Sequence, residues 1–200
     1  MTAAEEIAGQ SLAAVSDNPV VFPKGERLGA DEVISTGGYH NAQAPAAMDA
    51  LTAAATNLCV IAGRVAAKLQ DAPVSLLPPF LGYPEGRDYL GCLAMAMVGY
   101  EEEMRMLAQP TLLPGSEGGG YAQDDVASPV FLAWSKQEKA GELLEICLAS
   151  LAPIALRALD VTGRPVPEAL RSLAAETRRH FPDDGDLAAM GPRCAALLPR

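Results

Sequence analysis

Between Pro45 and Leu69 the chain carries only three charges, Asp49, Arg64 and Lys68, among small and apolar residues, with no helix breaker until Asp71-Ala72-Pro73. Proline suits a first helical turn, where its missing N–H costs nothing, so the pattern predicts one helix of about 25 residues, roughly 37 Å at 1.5 Å per residue. A helix so short of charge on every face has to be surrounded by other helices, in this chain or in partners. That requirement points to a bundle. The helix is entered through Ile34-Ser35-Thr36-Gly37-Gly38-Tyr39-His40-Asn41, which sets an aromatic ring beside an imidazole behind two glycines free of Cβ strain. A polar turn feeding a buried helix is where a site is sought first.

The other segments agree with a helical class. Ala3 to Val15 reads as a short helix, ended by the turn formers Ser16-Asp17-Asn18-Pro19, where the proline pushes Asn18 out of the helical region. Val20-Val21-Phe22 is strand-like but lies between two prolines, so an extended crossing segment is expected rather than a sheet. Ser75 to Leu81, with its double proline, is expected to be extended and packed. Asp88 to Gln109 is a second long helix, with Leu90, Leu93, Met97, Tyr100, Met104 and Leu107 at spacings of three and four; the methionines at 95, 97, 104 and 106 read as core filling. A third starts at Asp124 or Pro129 and runs to Val161, with Pro153 marking a kink and Gly163 a stop. An amphipathic helix from Val166 to His180 and a short one after Gly185 complete an all-α, long-helix bundle, read as one helical domain over residues 1–200.

Composition excludes more than it identifies. Two hundred residues, half of them hydrophobic, suffice for one sizeable core. A net charge of −10 leaves no basic face for nucleic acid or an anionic membrane. No apolar run is expected to span a membrane and the N-terminus is acidic, so a cytoplasmic protein is expected. Cys59, Cys92, Cys147 and Cys194 stand far apart without a Cys-x-x-Cys, indicating neither a zinc site nor a disulfide framework; at least three fall in apolar helical runs, where cysteine acts as a small hydrophobe. Two histidines do not make a multi-histidine metal centre, and no metal is expected. Gly118-Gly119-Gly120 lacks the lysine of a phosphate-binding loop, and Ser35 and Ser128 lack the setting of a nucleophile elbow.

Two polar loops remain as candidates for chemistry: Tyr39 with His40, and Gln123-Asp124-Asp125. Adjacent carboxylates can hold a substrate ammonium or act as a base, but acids at a helix start are also favoured by the dipole and by capping. His40 reads equally as a structural histidine at a helix entrance.

The same loops, in the same order, resemble the aromatic amino acid ammonia-lyase family, with the histidine ammonia-lyases as the nearest branch. Val15-Ser16-Asp17-Asn18-Pro19-Val20-Val21-Phe22 is similar to its Ser-Asp-Asn-Pro-Leu-Val-Phe stretch, and Val33-Ile34-Ser35 through Tyr39-His40 to its Val-Ile-Ser-Gly-Gly-Asn-Phe-His turn. Leu76-Leu77-Pro78-Pro79-Phe80-Leu81 resembles its Leu-Pro-Pro-Phe-Leu, and Gln123-Asp124-Asp125 with Ser128 its Gln-Glu-Asp-His-Val-Ser. Four motifs in register over the first 160 residues are specific where each alone is weak.

The resemblance implies the C-terminal part of an ammonia-lyase, in the fumarase/aspartase-like fold. Its electrophile, a methylidene-imidazolone (MIO) group made from Ala-Ser-Gly, has no source here, since that triplet is absent from these 200 residues. The family's catalytic tyrosine loop and its Gln-x-x-Tyr-x-x-Arg segment are likewise not among them. The implied arrangement is a split enzyme performing C–N elimination or aminomutase chemistry on an amino acid. This chain is then the smaller subunit, inactive alone, and a larger N-terminal-half subunit carries the MIO in a hetero-oligomer with a tetrameric core. Tyr39 stands where the family has a phenylalanine beside the electrophile, and Asp124 where histidine lyases have glutamate; Tyr39, His40, Gln123 and Asp124 are the implied substrate contacts. The pattern departs from the family at Asn41, Ala42 and Gln43, at Val126 in place of a histidine, and at Val65 in place of the second of two arginines. The alternative is a catalytically inactive scaffold or binding protein that keeps the helices.

Overall fold

The structure is a computed structural model, described here for residues 2–15, 17–26, 31–37, 40–82, 90–111, 128–182, 186 and 189–198. Its order of elements is α1 (Thr2–Ala13), β1 (Val20–Phe22), β2 (Glu32–Ile34), α2 (Ala44–Gln70), α3 (Ala72–Ser75), a 3-10 turn (Pro79–Leu81), α4 (Gly91–Leu107), α5 (Val130–Thr162), a 3-10 turn (Glu168–Leu170), α6 (Arg171–His180) and α7 (Met190–Ala196). The all-α class expected from the sequence is what the chain adopts. Three long helices dominate it. The chain is described as two compact units, Met1–Ala53 with Ala108–Glu138, and Ala54–Leu107 with Lys139–Arg200.

In the first unit, β1 and β2 pair antiparallel, Val20 opposite Ile34, Val21 opposite Val33 and Phe22 opposite Glu32. This corrects the expectation of an unpaired crossing segment. Pro19 and Pro23 lie just outside the three-residue strand, so neither removes a ladder hydrogen bond. Gly25 takes the left-handed φ of +98° that the turn after β1 requires. The first half of α2 is tied to the first half of α5 by Thr52 Oγ1 donating to Gln137 Oε1 at 3.0 Å.

The second unit holds the main core. Ala55, Cys59, Ala62 and Ala66 of α2 recur at spacings of three and four and are buried with Leu93, Met97 and Met104 of α4 and Leu143, Cys147 and Ile154 of α5. Small residues on α2 let its neighbours approach closely. At Gly63 the approach is closest, because an added methyl would overlap the buried Glu101 carboxylate on α4. Alanine in a helix ordinarily gains about 0.8–1 kcal/mol over glycine. Here the overlap decides the sign: Gly63→Ala is expected to destabilise by about 1–2 kcal/mol, read as a lower urea midpoint at unchanged slope. A raised midpoint would show that Glu101 can swing away.

Several expectations are refined. Ser75–Leu81 is not simply extended: Ala72–Ser75 forms one helical turn with proline in its first turn, and Pro79–Leu81 a 3-10 turn. Met97 and Met104 fill the core, whereas Met95 and Met106 on the same helix are exposed, because only one face of α4 packs. Pro153 lies within α5, which continues to Thr162 before Gly163 ends it at φ +64°. Contrary to expectation, α2 is long and apolar enough to cross a membrane by length and composition. The face of α2 carrying Ala55, Cys59, Ala62 and Ala66, however, is packed in protein core.

Candidate functional site

Two of the sequence motifs meet in the first unit. The Asn18 side chain accepts hydrogen bonds from Ser35 Oγ at 3.1 Å and from the Thr36 N–H at 2.9 Å, while Thr36 Oγ1 donates to the Asp17 carbonyl at 2.7 Å. Asp17 and Asn18 thus hold the strand exit at Ser35 and Thr36, which precedes Gly37. The sequence marks Asn18 as a helix stop and as part of a family motif, without a role in holding the strand exit. Its place directly before a proline, in a motif shared with a family, was the available signal.

His40 is half-buried, and its backbone N–H donates to the Gly37 carbonyl at 3.1 Å. Asn41 follows at φ +47°, a left-handed conformation that asparagine tolerates better than most side chains, and its carbonyl accepts the Ala44 N–H at 3.0 Å. Its side chain accepts from Ser11 Oγ of α1 at 3.0 Å, which gives this departure from the family pattern a structural role. Tyr39, Gln123 and Asp124 lie outside the described residues.

The segment that carries Gln123 and Asp124 is bounded by anchored residues. Thr111, the last residue described before it, donates its N–H to Asp49 Oδ2 at 2.6 Å, and its hydroxyl donates to Asp49 Oδ1. Lys136 on α5 donates to the same Oδ1 at 3.2 Å, to Thr111 Oγ1 at 2.8 Å and to the Gln109 carbonyl. Burial works to raise the Asp49 carboxyl. The Thr111 hydrogen bonds and the Lys136 ammonium outweigh it and hold the carboxyl below its usual range. No sequence spacing announces this cluster, because its members lie 87 and 62 residues apart.

On the far side of the segment, Ser128 has its Oγ shielded from solvent and, among the described residues, without a hydrogen-bond partner. A buried hydroxyl in that state is uncommon. Removing it leaves nothing unpaired, so Ser128→Ala is expected to leave the thermal midpoint of the chain unchanged or slightly raised. A drop of several degrees would mean that the hydroxyl is satisfied in solution. A cavity of about 520 Å³ in the second unit, lined by Val65, Leu69, Val74, Leu77, Ala155 and Leu159 among others, includes Leu77 of the Leu-Pro-Pro-Phe-Leu motif but not His40. Among the described residues no three His, Cys, Asp or Glu side chains converge as a metal site would require.

The model of the aromatic amino acid lyase family matches residues 1–180, and the chain belongs to that family. It is 29% identical over 176 residues to the histidine ammonia-lyase of Anaeromyxobacter sp. (strain K), covering 86% of this chain and 33% of that protein. To the histidine ammonia-lyase of Aromatoleum aromaticum it is 34% identical over 140 residues, 70% of this chain and 25% of the relative. Ergothionase from Treponema denticola matches 98% of this chain with 40% of its own at a TM-score of 0.79 and 15% identity. Tyrosine aminomutase from Streptomyces globisporus matches 98% with 39% of its own at 0.76 and 23%. These structures share its fold. The chain spans a quarter to a third of the length of these curated relatives.

Proposed function

We propose that this chain is the smaller subunit of a two-chain, ammonia-lyase-like enzyme of cytoplasmic amino-acid metabolism, which eliminates or shifts an amino group, with MIO supplied by a larger partner chain. The observation that carries the reading is the junction of Asp17 and Asn18 with Ser35 and Thr36, the strand exit that precedes Tyr39 and His40 in sequence. Two family motifs, 17 and 18 residues apart at their bonded positions, are hydrogen-bonded to one another, which supports the reading.

The electrophile cannot be built from these residues, which lack Ala-Ser-Gly, so no chemical step is assigned through it. The contribution of this chain is positioning. Tyr39 supplies an aromatic wall against the substrate side chain, and Asp124 a carboxylate for its ammonium or a polar side-chain group. His40 and Gln123 complete the contacts. Exposed apolar side chains support a partner: Phe131, Leu132 and Trp134 on α5 in the first unit, and Leu58, Ile61 and Val65 at spacings of three and four on α2 in the second. Such surfaces on helices favour association with other helices, here in a hetero-oligomer with a tetrameric core.

The test is purification from the natural source, with mass spectrometry of the intact polypeptides and an assay of ammonia release across a panel of amino acids. A second polypeptide carrying Ala-Ser-Gly should co-purify, and turnover should require both. If the same triplet is found in one longer polypeptide with this sequence, the two-chain arrangement is wrong. A lone, inactive chain that ignores the co-expressed larger subunit would leave the scaffold reading instead.

A further inference from the structure

Cys59 of α2 and Cys147 of α5 are fully buried in the core of the second unit, 88 residues apart in sequence, with their sulfurs 2.7 Å from each other. Non-bonded heavy atoms rest at about 3.5–4.0 Å, and a disulfide bond is about 2.05 Å. The pair therefore sits nearer to bonding than to ordinary packing. Both cysteines are in the free, reduced form. The other two differ in setting: Cys92 is exposed, and the Cys194 sulfur lies 3.8 Å from Ser150 Oγ.

We propose that Cys59 and Cys147 are a modification site: a dithiol that hydrogen peroxide converts to a disulfide, stapling α2 to α5. The step is a two-electron oxidation. One sulfur attacks peroxide, giving a sulfenic acid and one water; the second sulfur then displaces the hydroxyl, forming the S–S bond and, with its proton, a second water. No atom is left over and no metal is needed. Burial raises both thiols above the ordinary cysteine range, and the Glu101 carboxylate acts in the same direction on each, so the pair reacts through its minor thiolate fraction and closes slowly. Slowness separates it from Cys92. The staple closes a long loop and so restricts the unfolded chain, which is expected to raise the unfolding temperature by roughly 10 °C.

The experiment treats the native protein, in whatever assembly it is purified, with hydrogen peroxide near pH 7, followed by alkylation in denaturant, digestion without reductant, and mass spectrometry. The expected product is a peptide joining Cys59 to Cys147 in most chains, formed more slowly than oxidation of Cys92 and reversed by dithiothreitol together with the gain in melting temperature. Cys59→Ala and Cys147→Ala should each abolish the crosslink and leave the remaining partner alkylatable. Oxidation confined to Cys92, separate sulfinic acids at 59 and 147, or a crosslink that appears only after unfolding would each overturn the proposal. Should either alanine variant fail to fold, the peptide map of the parent protein decides alone.

Discussion

Substituting Asp124 by asparagine in the two-chain enzyme proposed above is expected to lower kcat/KM by about 30- to 1,000-fold without disturbing assembly. That is on the order of 2–4 kcal/mol of transition-state stabilisation, the range for truncating one partner of a buried charged contact. Asparagine keeps the shape and loses the charge, so an ammonium or polar side-chain group of the substrate is left without its counter-charge. Tyr39→Phe removes only a hydroxyl and is expected to redistribute kcat/KM among amino acids more than to lower it for all. Both variants are to be compared with the parent complex by ammonia release at saturating and limiting substrate. If Asp124→Asn keeps full activity on every amino acid turned over, the carboxylate serves only the helix start, and the assignment of a substrate contact falls.

How much of this was legible beforehand depends on the distance over which each feature acts. The long helix over Ala44–Gln70 could be read because its pattern is local: few charges, a proline in its first turn and a breaker after its end. The pairing of β1 with β2 could not, since three-residue strands show no alternation long enough to read and their partner lies ten or more residues away. The methionines of α4 show the limit of composition. All four suit a core, yet only Met97 and Met104 face one, and which face packs is set by α2 and α5. At the candidate site, motif order located Tyr39, His40, Gln123 and Asp124 as positions to examine. Asn18 as the tie between two motifs, and Asp49 with Lys136 and Thr111, depend on chain segments meeting in space.

That last pair leads to the second large effect. Lys136 and Asp49 are both mostly shielded, with 13% and 18% of their side chains exposed, and between them they hold Thr111 at the start of the segment bearing Asp124. Replacing Lys136 with methionine keeps the apolar stem and removes the ammonium. It strands the Asp49 carboxylate with only Thr111, at a cost of about 2 kcal/mol. Asp49→Asn should cost a similar amount, and the double variant less than the sum, since the two act on one network. The pH dependence separates this account from mere loss of packing. Because the folded-state carboxyl of Asp49 lies below its unfolded value, its contribution is present in full above about pH 4 and is lost as the pH falls through the folded value. Urea midpoints of the parent chain should therefore fall more steeply than those of Asp49→Asn as the pH is lowered from 5 toward 2; parallel curves would mean that Asp49 carries no folding-linked charge.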